Sequence, residues 1–170
     1  AMHTGATVTD GQGRTFTVGQ DLGRGLWART VALRDAQGRD IVAKMALGRE
    51  DFPADQALPE GILEACTAAL DEQAGWMREA RYPFLPKLLD RTVIEGRATL
   101  LLPRYANTLE RRLQGNIPLG EALDLALELS ERLAQVHKDG RVHGNLRPSN
   151  VLINDQGRVV LADWIGPTAM

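Results

Sequence analysis

Three short segments near the start of the chain have the apolar pattern of β-strands. They are TFTVGQDL (residues 15–22) and ARTVALRD (28–35), which alternate, and IVAKMAL (41–47), which is an apolar run. Turns that contain glycine separate them, as is typical of strands joined by tight connections. The pattern predicts an antiparallel three-stranded meander.

Helical spacing begins after a loop-like stretch with two prolines, residues 48–61. Residues 62–80 carry apolar side chains three and four positions apart, which predicts a helix, and Gly75 is a weak point inside it. RTVIEGRATLLLPRY (91–105) then predicts a β-hairpin that turns at its Glu-Gly pair.

The second half of the chain is predicted to be mainly helical. TLERRL (108–113) indicates a short helix, and residues 119–140 carry the longest helical pattern, with Gly140 as a stop signal. Residues 150–163 predict another hairpin, turning at 155–157.

Strands therefore dominate the first part of the chain and helices the second, which predicts an α+β fold of two lobes. We expect a tail or tag remnant at 1–14, a β-rich lobe with one main helix at 15–102, and a shortened helical lobe at 103–170.

Composition excludes some functions. The chain has 20 basic and 22 acidic residues, a net charge of −2, which argues against a nucleic-acid binder that works through a basic face. No run approaches 18 apolar residues, so we expect no membrane span. The single cysteine, Cys66, fits a reducing compartment, and we expect a cytoplasmic protein.

The segment LGRGLWARTV (22–31) is a glycine pair between two predicted strands. Glycines such as Gly23 and Gly25 let backbone N–H groups approach phosphate oxygens without a Cβ in the way. A dinucleotide-binding turn would need a helix directly after the glycines. The pattern therefore favours a β-hairpin lid over phosphates, with an ordinary glycine turn as the alternative.

Lys44 ends the apolar stretch IVAK. A lysine on a mostly buried strand is costly unless it meets a negative group, and a phosphate or a helix carboxylate would serve. The alternative is an edge lysine that extends its amine to water.

The segment RVHGNLRPSN (141–150) carries the densest set of polar side chains. Asn150 precedes one predicted strand and Asp163 ends the next, so the hairpin is expected to bring both to one cleft. An amide oxygen and a carboxylate suit Mg²⁺, and Arg147 is suited to holding a phosphate. The alternative is that these residues cap turns.

These segments resemble, in the same order, the elements of the protein-kinase superfamily. GRGLWA resembles the Gly-rich loop, with Ala28 in place of the third glycine, and VAK resembles the strand of the ATP lysine. YPFLPKLLD and LLLPRYANTLERRL resemble the segment after the main helix and the hinge. LAQVHKDGRVHGNLRPSNVLI and LADWIG resemble the catalytic loop, usually H-R-D-L-K-P-x-N, and the strand that ends in D-F-G.

The resemblance implies a nucleotide site in the first lobe and suggests ATP and Mg²⁺ as cofactors. Gly23 and Gly25 would cover the phosphates, Lys44 would contact them, and Leu102 would lie near the gatekeeper position. Glu72 is the expected partner of Lys44 by its distance from YPFLP. Three other residues of the same helix stay open as that partner: Glu64, Gln73 and Glu79.

In the second lobe the resemblance implies a catalytic loop. Asn150 and Asp163 would hold Mg²⁺, Arg147 would stand near the γ-phosphate, and His143 would belong to the catalytic set. The position of the catalytic base is Asn145, five residues before Asn150, as in the family.

The same segment departs from the family. Asn145 replaces the aspartate, and an amide has no useful basicity at neutral pH. Gly144 replaces the arginine that commonly reads a phosphorylated activation loop. A chain that stops at Met170 has no room for that loop, whereas a longer natural chain would remove this expectation.

Three functions follow from the resemblance. We expect a weak or degenerate Ser/Thr phosphotransferase that binds nucleotide and acts on itself or on a protein. The first alternative is a catalytically inactive pseudokinase that binds a protein partner. The second is a small-molecule phosphotransferase of the aminoglycoside, choline or lipopolysaccharide type, because H-G-x…N and D-W pairs also occur there.

Overall fold

The computed structural model describes residues 2–79 and 82–164. Contacts divide the chain into two compact units, Ala1–Glu79 with Lys87–Arg104 and Ala80–Pro86 with Tyr105–Met170. The first unit contains a large sheet and one long helix, and the second contains helices and a small sheet. The α+β fold class expected from the sequence is confirmed.

An antiparallel sheet of six strands forms the first unit, in the order β1-β2-β3-β4-β6-β5. The predicted meander and hairpin are both present in it. The strands are β1 (Thr7–Thr9), β2 (Thr15–Arg24), β3 (Ala28–Asp35), β4 (Asp40–Ala46), β5 (Asp90–Ile94) and β6 (Arg97–Pro103).

Strand β1 lies inside the segment 1–14, which was expected to be a tail. Its residues pair with Thr15–Thr17 of β2. The side chain of Asp10 is fully buried, and the backbone of Asp10 bridges to Ile94 of β5. A three-residue strand is too short to show a period, so its partners in the sheet, rather than its own pattern, determine it.

Helix α1 (Ile62–Glu79) packs on one face of the sheet and continues through Gly75. Its buried side, which includes Leu70, joins Ala46 of β4 and Leu100 of β6 in one core cluster. A second cluster lies on the opposite face, with Met45 of β4 among its fully buried members. Because side chains alternate along a strand, β4 directs Lys44 to the face that α1 covers.

In its described residues, the second unit contains two α-helices and a three-stranded antiparallel sheet, ordered β7-β8-β9. The predicted short helix and hairpin are present, and the long helix ends two residues before Gly140, at Lys138. The elements are β7 (Asn107–Thr108), α2 (Leu109–Leu113), α3 (Leu119–Lys138), β8 (Val151–Ile153) and β9 (Val159–Leu161).

The long helix α3 buries little of its surface. Of its 20 residues, all of which the structure describes, Val136 alone is buried. Leu119, Leu123 and Leu127 are 60–75% exposed along one side. Across the described chain, no helix combines the length and apolar character that crossing a membrane requires.

One turn occurs three times, at DGQGR (10–14), DAQGR (35–39) and NDQGR (154–158). In each, the first side chain accepts the backbone N–H groups of the third and fifth residues at 2.8–3.0 Å. The glycine in each has a φ of 73–81°, which side chains with a Cβ rarely adopt. The shared Q-G-R ending is a sequence signal for these hairpins.

Candidate functional site

The glycine pair lies where β2 turns into β3. Gly23 has a φ of 125°, and the N–H of Gly25 donates to the carbonyl of Ala28 at 2.8 Å. A Cβ built on Gly23 would meet nothing within 4 Å, so it is the positive φ, rather than close packing, that favours glycine there. A strand follows the pair directly, which confirms the hairpin expected from the sequence.

Lys44 lies on β4, opposite Thr30 of β3 and Leu100 of β6. Its Nζ donates to Oε1 of Gln73 on α1 at 2.6 Å. Glu72 is the residue before Gln73 and is half-buried. The lysine thus reaches the predicted part of α1, and the pairing with Glu72 stays a prediction.

Leu102 lies near the end of β6, opposite Val42 of β4. It is half-buried and packs against the core cluster beneath α1. Its predicted contact with a nucleotide stays a prediction.

His143 is almost fully buried in the second unit, with 2% of its surface exposed. Its Nδ1 accepts the backbone N–H of Asn145 at 3.1 Å, so the ring proton is on Nε2, which donates to the carbonyl of Ala162 at 2.7 Å. The centroid of the ring also lies 4.5 Å from the centroid of the Trp164 ring. His143 therefore fixes the loop to the segment after β9, and its predicted place in the catalytic set stays a prediction.

Both ends of the Asn145 amide are engaged within the unit. Its Nδ2 donates to the backbone carbonyl of Asp163 at 3.2 Å, and its Oδ1 accepts from Nη2 of Arg147 at 3.1 Å. The first of these bonds requires a donor, which an ionised aspartate lacks. The loop is therefore built around an amide at this position.

Asn150 and Asp163 are both hydrogen-bonded to Asn145. Nδ2 of Asn150 donates to the carbonyl of Asn145 at 2.8 Å, and the Asn150 carbonyl accepts the N–H of Ala162. Asp163 has a φ of 56°, a left-handed conformation that is costly outside glycine. Such strain persists only where the surroundings impose it, and here the Asn145 bond to the Asp163 carbonyl contributes.

The donor set fits Mg²⁺. Among the described residues, the hydrogen bond of the Asn150 side chain is made by its Nδ2, which leaves its Oδ1 as a candidate ligand, and Asp163 supplies a half-buried carboxylate. Among the described residues, no three His, Cys, Asp or Glu side chains group as a metal site. One amide and one carboxylate match a cation that keeps waters and takes phosphate oxygens.

The predicted residues fall into two sets. Gly23, Gly25, Lys44, Glu72 and Leu102 belong to the first unit, and His143, Asn145, Arg147, Asn150 and Asp163 belong to the second. Hydrogen bonds connect members of the second set to one another.

Sequence reasoning missed the partners of the residue between the two glycines. Nη1 of Arg24 donates to the backbone carbonyl of Asp51, and its guanidinium lies 4.7 Å above the ring of Phe52. The available signal was an arginine inside a glycine pair, together with the charged segment GREDF at 48–52. No local pattern joins segments that far apart in the chain.

No model of a protein family matches the chain. Relatives include CBL-interacting protein kinase 4 of Oryza sativa subsp. japonica, 25% identical over 88% of this chain and 32% of the relative. The Aurora kinase of Candida glabrata is 27% identical over 89% of this chain and 40% of the relative. Serine/threonine-protein kinase PknK of Mycobacterium tuberculosis is 30% identical over 56% of this chain and 9% of the relative.

The chain thus spans at most two fifths of the length of these three relatives. Among solved structures, it is similar to PpkA-294 in its apo form, with a TM-score of 0.72 and 18% identity. That similarity covers 96% of this chain and 61% of the other. The chain is similar in sequence to Ser/Thr protein kinases, and its fold is protein-kinase-like.

Proposed function

We propose that this protein-kinase-like chain binds ATP with Mg²⁺ and is a weak, degenerate Ser/Thr phosphotransferase. The observation that carries the proposal is that Asn150 and Asp163, the two predicted Mg²⁺ ligands, are both hydrogen-bonded to Asn145, an amide at the base position. The residues for binding are kept, whereas the residue for proton abstraction is replaced.

Bound Mg·ATP would supply the phosphoryl group and a cation that neutralises charge during its transfer. Oδ1 of Asn150 and the carboxylate of Asp163 would hold the cation. In the first unit, Gly23 and Gly25 would let the hairpin backbone approach phosphates, and Lys44, which donates to Gln73, would supply an ammonium group. Arg147 supplies a guanidinium that engages a neutral amide, a partner that a phosphate would displace.

The Asn145 amide limits the rate. It has no useful basicity, so it can hydrogen-bond a hydroxyl but cannot take its proton. General-base assistance contributes about 10²–10⁴-fold to rate. Because phosphoryl transfer depends mostly on positioning and electrostatics, we expect slow transfer rather than none.

The test is transfer of γ-labelled phosphate from Mg·ATP to the protein itself and to a general Ser/Thr substrate. We expect slow, Mg²⁺-dependent labelling that Asp163→Ala abolishes. The matched control is Asp155→Ala, which removes an exposed turn carboxylate of the same unit and should leave labelling unchanged. Labelling that survives Asp163→Ala would refute catalysis by this site.

The contact between Arg147 and Asn145 also favours a second function, a pseudokinase that binds a protein partner without transfer. In this arrangement Arg147, predicted to contact the γ-phosphate, donates to Oδ1 of Asn145, the atom that would otherwise accept a hydrogen bond from a substrate hydroxyl. A pseudokinase would show no labelling in the wild type, and none after Asn145→Asp, while nucleotide still binds. Labelling by the wild type that increases after Asn145→Asp would exclude it.

A further inference from the structure

We propose that Arg24 is a positioning residue that clamps the glycine hairpin to the segment after β4 and so orders the hairpin before a nucleotide arrives. The effect on nucleotide affinity rests on the proposed function. The clamp itself, formed by Arg24, Asp51 and Phe52, does not.

The hairpin needs an external restraint. The pairing of β2 with β3 shifts register twice, between Val18 and Asp21 and again between Asp21 and Gly23. Gly23 and Gly25 add backbone freedom, and ordering such residues costs conformational entropy. A hairpin with irregular pairing and two glycines would populate several conformations if nothing else held it.

Arg24 supplies the restraint from within the glycine pair. Its guanidinium donates to the Asp51 carbonyl and covers the Phe52 ring at 4.7 Å. The planar guanidinium is suited to making both contacts together, because one face can stack while an edge donates.

The anchor is rigid, since Asp51 is the centre of an ion cluster. Its carboxylate is 4% exposed and accepts from Nε of Arg29 at 2.9 Å and from Nη1 of Arg97 at 2.5 Å. It also accepts the backbone N–H of Gly48 at 2.8 Å. These bonds join β3, β6 and the segment after β4, so a hairpin held by Asp51 is held to the sheet.

The clamp has a consequence for binding. A loop that is already ordered loses less conformational entropy when its N–H groups meet phosphates, and preorganisation of this kind increases affinity. Loss of the Arg24 contacts should therefore weaken nucleotide binding even though Asp51 and Phe52 have no place in the predicted nucleotide site.

The test uses hydrogen exchange of the backbone amides of residues 23–27 without nucleotide, together with titration of Mg·ATP. We expect Arg24→Ala to speed exchange about tenfold, the size that a cation–π contact and one hydrogen bond support. Phe52→Leu, which keeps an apolar side chain, should speed it about two- to fivefold. Arg24→Lys should fall between the wild type and Arg24→Ala.

The variants with faster amide exchange should also bind Mg·ATP more weakly. We expect Arg24→Ala to bind Mg·ATP about three- to tenfold more weakly and Phe52→Leu to weaken binding less. The matched control is Arg34→Ala, which removes an exposed arginine–aspartate pair, 3.1 Å to Asp40, from the same sheet. This control should change neither exchange of residues 23–27 nor affinity.

Exchange that is unchanged in both Arg24→Ala and Phe52→Leu would overturn the clamp. Weaker binding in Arg24→Ala alone, with unchanged exchange, would mean that Arg24 contacts the phosphates directly, and would also overturn it. Faster exchange with unchanged or tighter binding would refute the positioning role. If the wild type binds no nucleotide, the proposed function fails, and exchange alone decides the clamp.

Discussion

The turn with a Q-G-R ending occurs in both units, with an acid in the first and an amide in the second. Asp10 begins the first copy and Asn154 begins the third. Each accepts the same two backbone N–H groups through its Oδ1, at 2.8–3.0 Å. Aspartate and asparagine are therefore interchangeable where a side chain only has to accept backbone hydrogen bonds.

The two copies differ at the second polar atom of the side chain, which is Oδ2 in Asp10 and Nδ2 in Asn154. The Oδ2 of Asp10 accepts from Nε of Arg14 at 2.8 Å, whereas Arg158 in the third copy lies near Glu128 instead, at 3.5 Å. Geometry survives the exchange of aspartate for asparagine, but the charge and its ion pair do not.

The same lesson applies to Asn145. Its amide holds the loop by donating to the Asp163 carbonyl and accepting from Arg147. The amide thus supports the loop, whereas the negative charge and the basicity of an aspartate are absent. The predictions below exchange acid and amide at single positions to separate these two properties.

The largest effect is expected for Asn145→Asp. The variant gains a base, so γ-phosphate transfer should rise by up to about 10²–10⁴-fold. It also loses the donor to the Asp163 carbonyl, which should lower the free energy of unfolding by about 1 kcal/mol. A rate measurement and a urea titration check both parts. An unchanged rate, with nucleotide still bound, would contradict the prediction.

The reciprocal change, Asp10→Asn, should destabilise the first unit by about 2–3 kcal/mol. The side chain of Asp10 is fully buried, and its Oδ2 accepts from both Arg14 and Thr92. An amide nitrogen in that place would face two donors. Chemical denaturation measures the loss, and an unchanged midpoint would show that the charge of Asp10 contributes nothing.

The pH dependence of stability that comes from Asp10 should be a smaller effect than the loss caused by Asp10→Asn, and it should disappear in that variant. Burial raises the pKa of Asp10, but hydrogen bonds from Arg14, Thr92 and the Gln12 N–H outweigh it, so the pKa lies below its ordinary value. The stabilisation is therefore complete above the unfolded value, about 3.9, and is lost as pH falls below it. The free energy of unfolding, measured at pH 3 and pH 7, checks this. An equal loss between the two pH values in the wild type and in Asp10→Asn would refute it.

The smallest effect is expected for Asp35→Asn, the matched control. Asp35 begins the second copy of the turn and accepts the same backbone N–H groups. Its charged partner, Arg39, is 74% exposed and belongs to the same turn. We expect a midpoint shift well below that of Asp10→Asn. A shift of equal size would show that burial and the bond across to Thr92 are unimportant.

Much of the fold could be predicted because it depends on local pattern. The strands at 15–22 and 28–35 and the helix at 62–80 repeat apolar residues at their own period, and the glycine hairpin follows from a strand directly after the pair. Strand β1 could not be predicted, because its three residues form a strand only through their pairing with β2.

The candidate site divides in the same way. The order and spacing of Lys44, Asn145, Asn150 and Asp163 are visible in the sequence. The bond of Lys44 to Gln73 was left open, because the helix register between distant segments is not a local property. The contacts of Arg24 with Asp51 and Phe52 also join residues far apart in the chain, so no periodicity indicates them.

The most direct test of the central claim is thermal unfolding with ATP, with and without Mg²⁺, for the wild type and Asp163→Ala. A ligand that binds only the folded state stabilises it by about 2.7 kcal/mol at 100 times its Kd. We predict that ATP raises the wild-type Tm, that Mg²⁺ increases the rise, and that Asp163→Ala loses the Mg²⁺-dependent part. No rise at millimolar ATP with Mg²⁺ would contradict the claim that this chain binds nucleotide.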